Sequence, residues 1–296
     1  MKTALLFPGQ GAQTVGMGKA LYEQYPIAKE LFDKADKILG FSLSKLCFEG
    51  PEEELNKTNI CQPALLVTSY VAMAVLKQTN ALPEWSCSAG LSLGEYTALA
   101  AAEALSFEDA VKIVERRGTF MQQDCDRVKS TMASVIGLER AKIEEVLATI
   151  SGIVVVANLN SPGQIAISGE VAAVAQASEK LTAAGARKVI PLKVAGAFHS
   201  PLMKPAEEKL KLELAKINVK VPAKQVISNV TADYVKSAEE IKGNLSRQVS
   251  NPVLWADSMQ KLIADGYDNF YEIGPGKVLT GLMKKINPNV ATTNFP

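Results

Sequence analysis

Histidine is all but missing from this chain: His199 is the only one in 296 residues. That scarcity removes histidine-rich metal sites. The four cysteines, Cys47, Cys61, Cys87 and Cys125, are scattered without a Cys-x-x-Cys pair, so neither a zinc knot nor a disulfide framework is expected. They read as reduced thiols, and the expected setting is the cytoplasm. Excess charge is missing as well, since 32 Lys and Arg oppose 31 Asp and Glu for a net charge of +1. Such a chain has no field to gather nucleic acid or an anionic membrane, and neither partner is expected. No apolar run approaches a membrane span, and Met1–Phe7 runs straight into Pro8-Gly9, too short for a signal-peptide core, so neither anchoring nor export is expected. A nucleotide fingerprint is absent too: Gly9 and Gly11 are followed by Thr14 where Gly-x-Gly-x-x-Gly needs its third glycine, and no Gly-Lys-Ser/Thr closes a P-loop. Metal, redox and dinucleotide chemistry are thereby disfavoured.

What is present is ordinary globular material, 47% hydrophobic and 21% charged, long enough for one large domain or two ordinary ones. Its most informative stretch is Gly90-Leu91-Ser92-Leu93-Gly94, which fits Gly-x-Ser-x-Gly, the sharp strand-to-helix turn that exposes a serine hydroxyl. The pattern recurs by chance, and a serine before a helix is more often a cap than a nucleophile. Its context raises it: small and apolar residues from Trp85 to Ala89 precede the turn, and an alanine- and leucine-rich helix from Glu95 to Glu103 follows. A serine nucleophile needs a base to take its proton, and the usual base is histidine. If Ser92 is the nucleophile with a histidine base, His199 is its partner by elimination.

Two further groups qualify for the same site. Pro8-Gly9-Gln10-Gly11 follows a buried strand at Thr3–Phe7; it is either a plain turn or the second half of an oxyanion hole, pairing the N–H groups of Gln10 and Leu93. On the Phe107–Gln123 helix, capped by Ser106, helical spacing turns Arg116 to solvent and leaves Arg117 half-buried on the flank of the apolar stripe. Arg117 then needs an anionic partner, structural or a substrate carboxylate.

Elsewhere the pattern predicts helices at 22–39 and 64–76, the latter beginning after Pro63, and a short helical turn at 52–56. From 130 to 194 the order is strand, helix, strand, strand, helix, strand, with a turn at Asn160-Ser161-Pro162-Gly163. This β-α-β-β-α-β order is ferredoxin-like. It is expected as a small domain, residues 129–194, inserted into a large α/β domain built from 1–128 and 195–296. Ser200 and Pro201 are expected to open a helix whose N-terminus keeps the His199 ring neutral.

Taken together, Phe7-Pro8-Gly9-Gln10-Gly11, Gly90-Leu91-Ser92-Leu93-Gly94-Glu95-Tyr96, Arg117-Gly118, Asn158-Leu159-Asn160-Ser161-Pro162-Gly163-Gln164, Gly196-Ala197-Phe198-His199-Ser200 and Gln248-Val249-Ser250-Asn251-Pro252-Val253 closely resemble the malonyl-CoA:acyl carrier protein transacylases over essentially the whole chain. The resemblance implies a hydrolase-like α/β domain with a parallel sheet and a ferredoxin-like insert. It implies that Ser92 is acylated by malonyl-CoA, that His199 is the base, and that Arg117 grips the malonyl carboxylate. Gln10 and Leu93 would form the oxyanion hole, Gln248 would orient His199 through a carbonyl, and Phe198 would crowd an α-methyl branch. Coenzyme A thioesters and an acyl carrier protein would be the partners, with no metal or other cofactor and a monomeric chain. Leu91 stands where many members carry histidine, a variant associated with stand-alone transferases that serve a polyketide synthase rather than fatty acid synthesis. A thioester hydrolase built on the same Ser-His pair is the rival activity, and a non-catalytic carrier-docking module the rival of another class.

Overall fold

A computed structural model describes residues 1–296. In chain order the strands are β1 (Lys2–Phe7), β2 (Cys87–Gly90), β3 (Ser130–Ile136), β4 (Val154–Ser161), β5 (Gln164–Glu170), β6 (Lys188–Pro191), β7 (Gln225–Val226), β8 (Tyr267–Ile273) and β9 (Ala291–Phe295). Five of them form one parallel sheet, β7-β2-β1-β8-β9. The other four form an antiparallel sheet, β4-β5-β3-β6, which is the ferredoxin-like strand order.

The large sheet is covered on both faces, as parallel strands joined by helical crossovers require. Alternation along β1 divides its side chains between two cores: Leu5 and Phe7 face the main cluster, while Ala4 and Leu6 meet Trp255, Met259 and Leu282 on the opposite face. The small sheet has its own core of Val135, Ile143, Val156, Ile167, Val174 and neighbours. The connecting segments run side by side, for the Ala197 N–H donates to Ser130 Oγ (2.9 Å) and a Cβ on Gly196 would meet Cys125 Cβ at 3.0 Å.

Several boundaries differ from the sequence expectation for physical reasons. The helix expected over 22–39 is two, Lys19–Gln24 and Pro26–Leu39; Tyr25, immediately before a proline, is extended at φ −123° and ψ 121°. The helix expected to start after Pro63 starts at Thr58 and runs to Gln78 with Pro63 inside it. Proline there forgoes one bond, to the Asn59 carbonyl, while burial of Thr58, Cys61 and Gln62 holds the first turn. This helix is apolar almost all round, and by length and composition it is the one helix able to cross a membrane, contrary to the expectation that no run was long enough; 78% of its most apolar window is buried inside the fold. The strand expected to span 186–194 is only β6, and the Leu43–Glu49 helix and β9 had no expectation attached.

Candidate active site

Both glycines of the elbow are required by contact. A Cβ on Gly90 would overlap the Gly94 backbone, and one on Gly94 would overlap the carbonyl of Phe7 at the end of β1. The turn so closed holds Ser92 at φ 54°, a left-handed conformation that costs a non-glycine residue about 1 kcal/mol or more. Neighbouring amides hold it there: the Ser92 N–H donates to Asn229 Oδ1 (2.7 Å), and Gln248 Nε2 donates to the Ser92 carbonyl (3.0 Å). Asn229 is itself fixed, because its Nδ2 donates to the Gly90 carbonyl (2.8 Å).

The structure brings Ser92 and His199 together, with Oγ 2.9 Å from Nε2. His199 is buried, also at positive φ (58°), and its N–H donates to the Val249 carbonyl. The Gln248 backbone carbonyl lies 2.8 Å from Nδ1. A carbonyl only accepts, so the neutral ring carries its proton on Nδ1 and offers the Nε2 lone pair to the serine hydroxyl. Burial first, and the Arg117 cation second, push His199 down to about 4, so the ring is neutral at pH 7. A helix N-terminus is not the source of that neutrality, contrary to expectation, because the segment after Ser200 is a three-residue 3-10 turn, Pro201–Met203, before the Lys204–Lys216 helix.

Arg117 is not half-buried, as helical geometry alone implied, but 1% exposed, while Arg116 does face solvent. A second helix lies over it. Gly118 lets the Phe107–Arg127 helix approach the start of the Thr58–Gln78 helix so closely that a Cβ would lie 2.7 Å from the Thr58 carbonyl oxygen. Arg117 thereby reaches Gln62, with Nη1 donating to Oε1 at 2.6 Å, and its Nη2 donates to Ser92 Oγ (2.9 Å) and Gln248 Oε1 (3.0 Å). The guanidinium also packs 5.6 Å from the Tyr96 ring. No carboxylate pairs with it within 4 Å, and its Nε has no partner. A buried cation held directly by two amide oxygens, a hydroxyl and a ring face, with the Glu95 carboxylate reaching it only through Gln248, favours an anion in the cavity.

These groups line a cavity of about 300 Å³ between the two sheets. Gln10, Leu93 and Phe198 line it too, and the N–H groups of Gln10 and Leu93 are engaged by no protein acceptor. The small sheet contributes Met132, Asn158 and Gln164. Leu91 gives the cavity an apolar wall beside the serine. The four cysteines are buried free thiols, pushed up by burial to about 12 and thus unreactive at neutral pH.

Sequence reasoning missed Gln62, Asn229 and Glu95. Glu95 was the one with a visible signal, a carboxylate in the first turn of an otherwise apolar helix; Gln62 and Asn229 carry none outside the fold.

A family model described as acyl transferase domain matches residues 4–290. Among curated relatives, the malonyl CoA-acyl carrier protein transacylase of Bacillus subtilis (strain 168) is 49% identical over 98% of this chain and 92% of its own length. The chain belongs to the malonyl-CoA:acyl carrier protein transacylase family. The transacylase of Escherichia coli (strain K12) is 44% identical over 96% of this chain and 92% of its own. A solved malonyl-transacylase, in complex with its type II PKS acyl-carrier protein, superposes with a TM-score of 0.96 at 40% identity, covering 99% of this chain and 96% of that one. The two-sheet architecture described above is therefore the acyltransferase fold, and the family reading from motifs stands.

Proposed function

We propose that this acyltransferase moves a malonyl group from malonyl-CoA to the phosphopantetheine thiol of an acyl carrier protein, through a malonyl ester on Ser92. The observation that carries the reading is the buried Arg117 cation, without a carboxylate partner, beside the Ser92 hydroxyl. A malonyl carboxylate supplies the missing charge and can be held by both guanidinium arms. Arg117 then fixes the donor while His199 Nε2 takes the Ser92 proton as Oγ attacks the thioester carbonyl. The N–H groups of Gln10 and Leu93 receive the oxyanion. Its collapse breaks the C–S bond, and the coenzyme A thiolate leaves with the proton from His199. In the second half the carrier thiol gives its proton to His199 and attacks the ester, and Ser92 Oγ departs with that proton. Every step uses the substrates and this chain's own side-chain and backbone groups, so the reaction as written needs no cofactor. Gln248 orients His199 through its main-chain carbonyl, and Phe198 narrows the cavity near the acyl group.

Segments 1–128 and 195–296 form the catalytic domain on this reading, and 129–194 the inserted one. The separate small core and the adjacent entry and exit segments support that division. The free buried thiols support a cytoplasmic setting. The transferase complex among the structural neighbours supports an acyl carrier protein as acceptor. Intact mass after brief exposure to malonyl-CoA, then addition of a phosphopantetheinylated carrier, tests the reading. A malonyl adduct that moves to the carrier is expected. An adduct released to water with carrier present would make the protein a hydrolase.

A further inference from the structure

Behind the elbow lies a carboxylate that the mechanism above does not use. Glu95 sits in the first turn of the Gly94–Ala101 helix and is 1% exposed. Its Oε2 accepts two hydrogen bonds, from Gln248 Nε2 (2.6 Å) and from the Asn229 backbone N–H (3.1 Å). These two partners hold all three groups of the reaction. Asn229 accepts the Ser92 N–H. Gln248 donates to the Ser92 carbonyl, accepts from Arg117 Nη2, and through its main-chain carbonyl holds His199 Nδ1.

We propose that Glu95 is a positioning residue for malonyl transfer: one carboxylate oxygen, clamped between Gln248 and Asn229, sets the relative placement of Ser92, His199 and Arg117. The inference rests on the malonyltransferase reading. A side chain at this depth is expensive to keep polar, since burial pushes Glu95 up to about 7 even against the hydrogen bonds from Asn229 and Gln248 that lower it, and an apolar residue would pack an alanine- and leucine-rich helix at less cost. The position is occupied instead by a group whose hydrogen bonds all lead to the reacting atoms. Its hydrogen bonds join only residues of segments 1–128 and 195–296.

Two substitutions separate reach from charge. Glu95→Gln keeps a carbonyl oxygen at the same distance and loses the charge; Glu95→Asp keeps the charge and withdraws the oxygen by one methylene. The rate of acyl-serine formation is measured for both by quenched-flow intact mass, with malonyl-CoA and acetyl-CoA as donors. Near-UV circular dichroism reports on the fold. Glu95→Gln is expected to stay within about threefold of the parent protein. Glu95→Asp is expected to lose roughly 100-fold in the malonyl rate, as a misplacement near 1 Å does. It should also lose part of the malonyl preference over acetyl, because Gln248 no longer steadies Arg117, with more effect on kcat than on KM. Equal losses in both variants, parent-like rates for Glu95→Asp, or an unchanged malonyl-to-acetyl ratio would overturn the proposal. Failure of the parent protein to form any malonyl-serine ester would instead overturn the function on which it rests.

Discussion

Replacing Arg117 by alanine probes the site where its electrostatics are least balanced. The guanidinium is 1% exposed, donates from two arms to Gln62, Ser92 and Gln248, and has no ionised partner. On the proposed reading its arms hold the carboxylate of bound malonyl-CoA through charge-assisted hydrogen bonds, each contributing about 1.5–3 kcal/mol. Without it, that carboxylate sits in the cavity against Gln62 and Met121 with no counter-charge. The expected loss is about 3–5 kcal/mol of transition-state binding, or roughly 10²- to 10⁴-fold in kcat/KM. Acetyl-CoA has no carboxylate, so it loses only the charge-assisted hydrogen bond from Nη2 to Ser92 Oγ and the support of Gln248, about 1.5 kcal/mol or roughly tenfold. Acylation rates for both donors, read by quenched-flow intact mass on the parent and the variant, give the two factors directly. Arg117→Lys, a point charge with one arm, should fall between. Equal losses for the two donors would refute the reasoning, because they would mean that Arg117 supports the elbow and takes no part in acyl choice.

Other expectations follow from the same geometry. His199, depressed from 6.5 to about 4, should keep kcat/KM for acylation level down to about pH 5, with the acid limb near 4; a limb centred near 6.5 would mean that the ring is solvated or differently paired. Because the unfolded chain takes up that proton first, the same depression makes stability fall as pH drops from 6.5 through 4, by up to about 3 kcal/mol, in denaturant titrations. Gly118→Ala should press on the Thr58 and Asn59 backbone and separate the two helices, at about 1–3 kcal/mol in stability. It should also shrink the malonyl-to-acetyl ratio as Arg117 shifts; an unaltered ratio would uncouple Gly118 from donor choice. Phe198→Ala should raise transfer from methylmalonyl-CoA relative to malonyl-CoA, and no gain would remove the ring from the selectivity argument.

The elbow, the ferredoxin-like order and the Ser92–His199 pair were legible because each rests on local chemistry: glycines that a turn requires, alternation of elements, and a solitary base. The parts that were not legible are all set by packing across the chain. Helical phase placed Arg117 on a flank, and only the close approach permitted by Gly118 buries it beneath the Thr58–Gln78 helix. Pro63 reads as a helix start on local preference, but the buried first turn overrides it. The neutral His199 was expected for the wrong reason, since nearest-neighbour reading sees Ser200-Pro201 and not the burial and the Arg117 charge that depress it. Glu95 is adjacent to the elbow in sequence, yet its partners lie 134 and 153 residues away.

The central claim is that Ser92 carries the malonyl group. The direct measurement is peptide-resolved mass spectrometry of the parent protein and of Ser92→Ala after brief exposure to malonyl-CoA, acid-quenched to preserve the ester. A malonyl ester is expected on the peptide containing Ser92 in the parent protein and none anywhere in the variant. A malonyl group on another residue, or one that persists in Ser92→Ala, would contradict it.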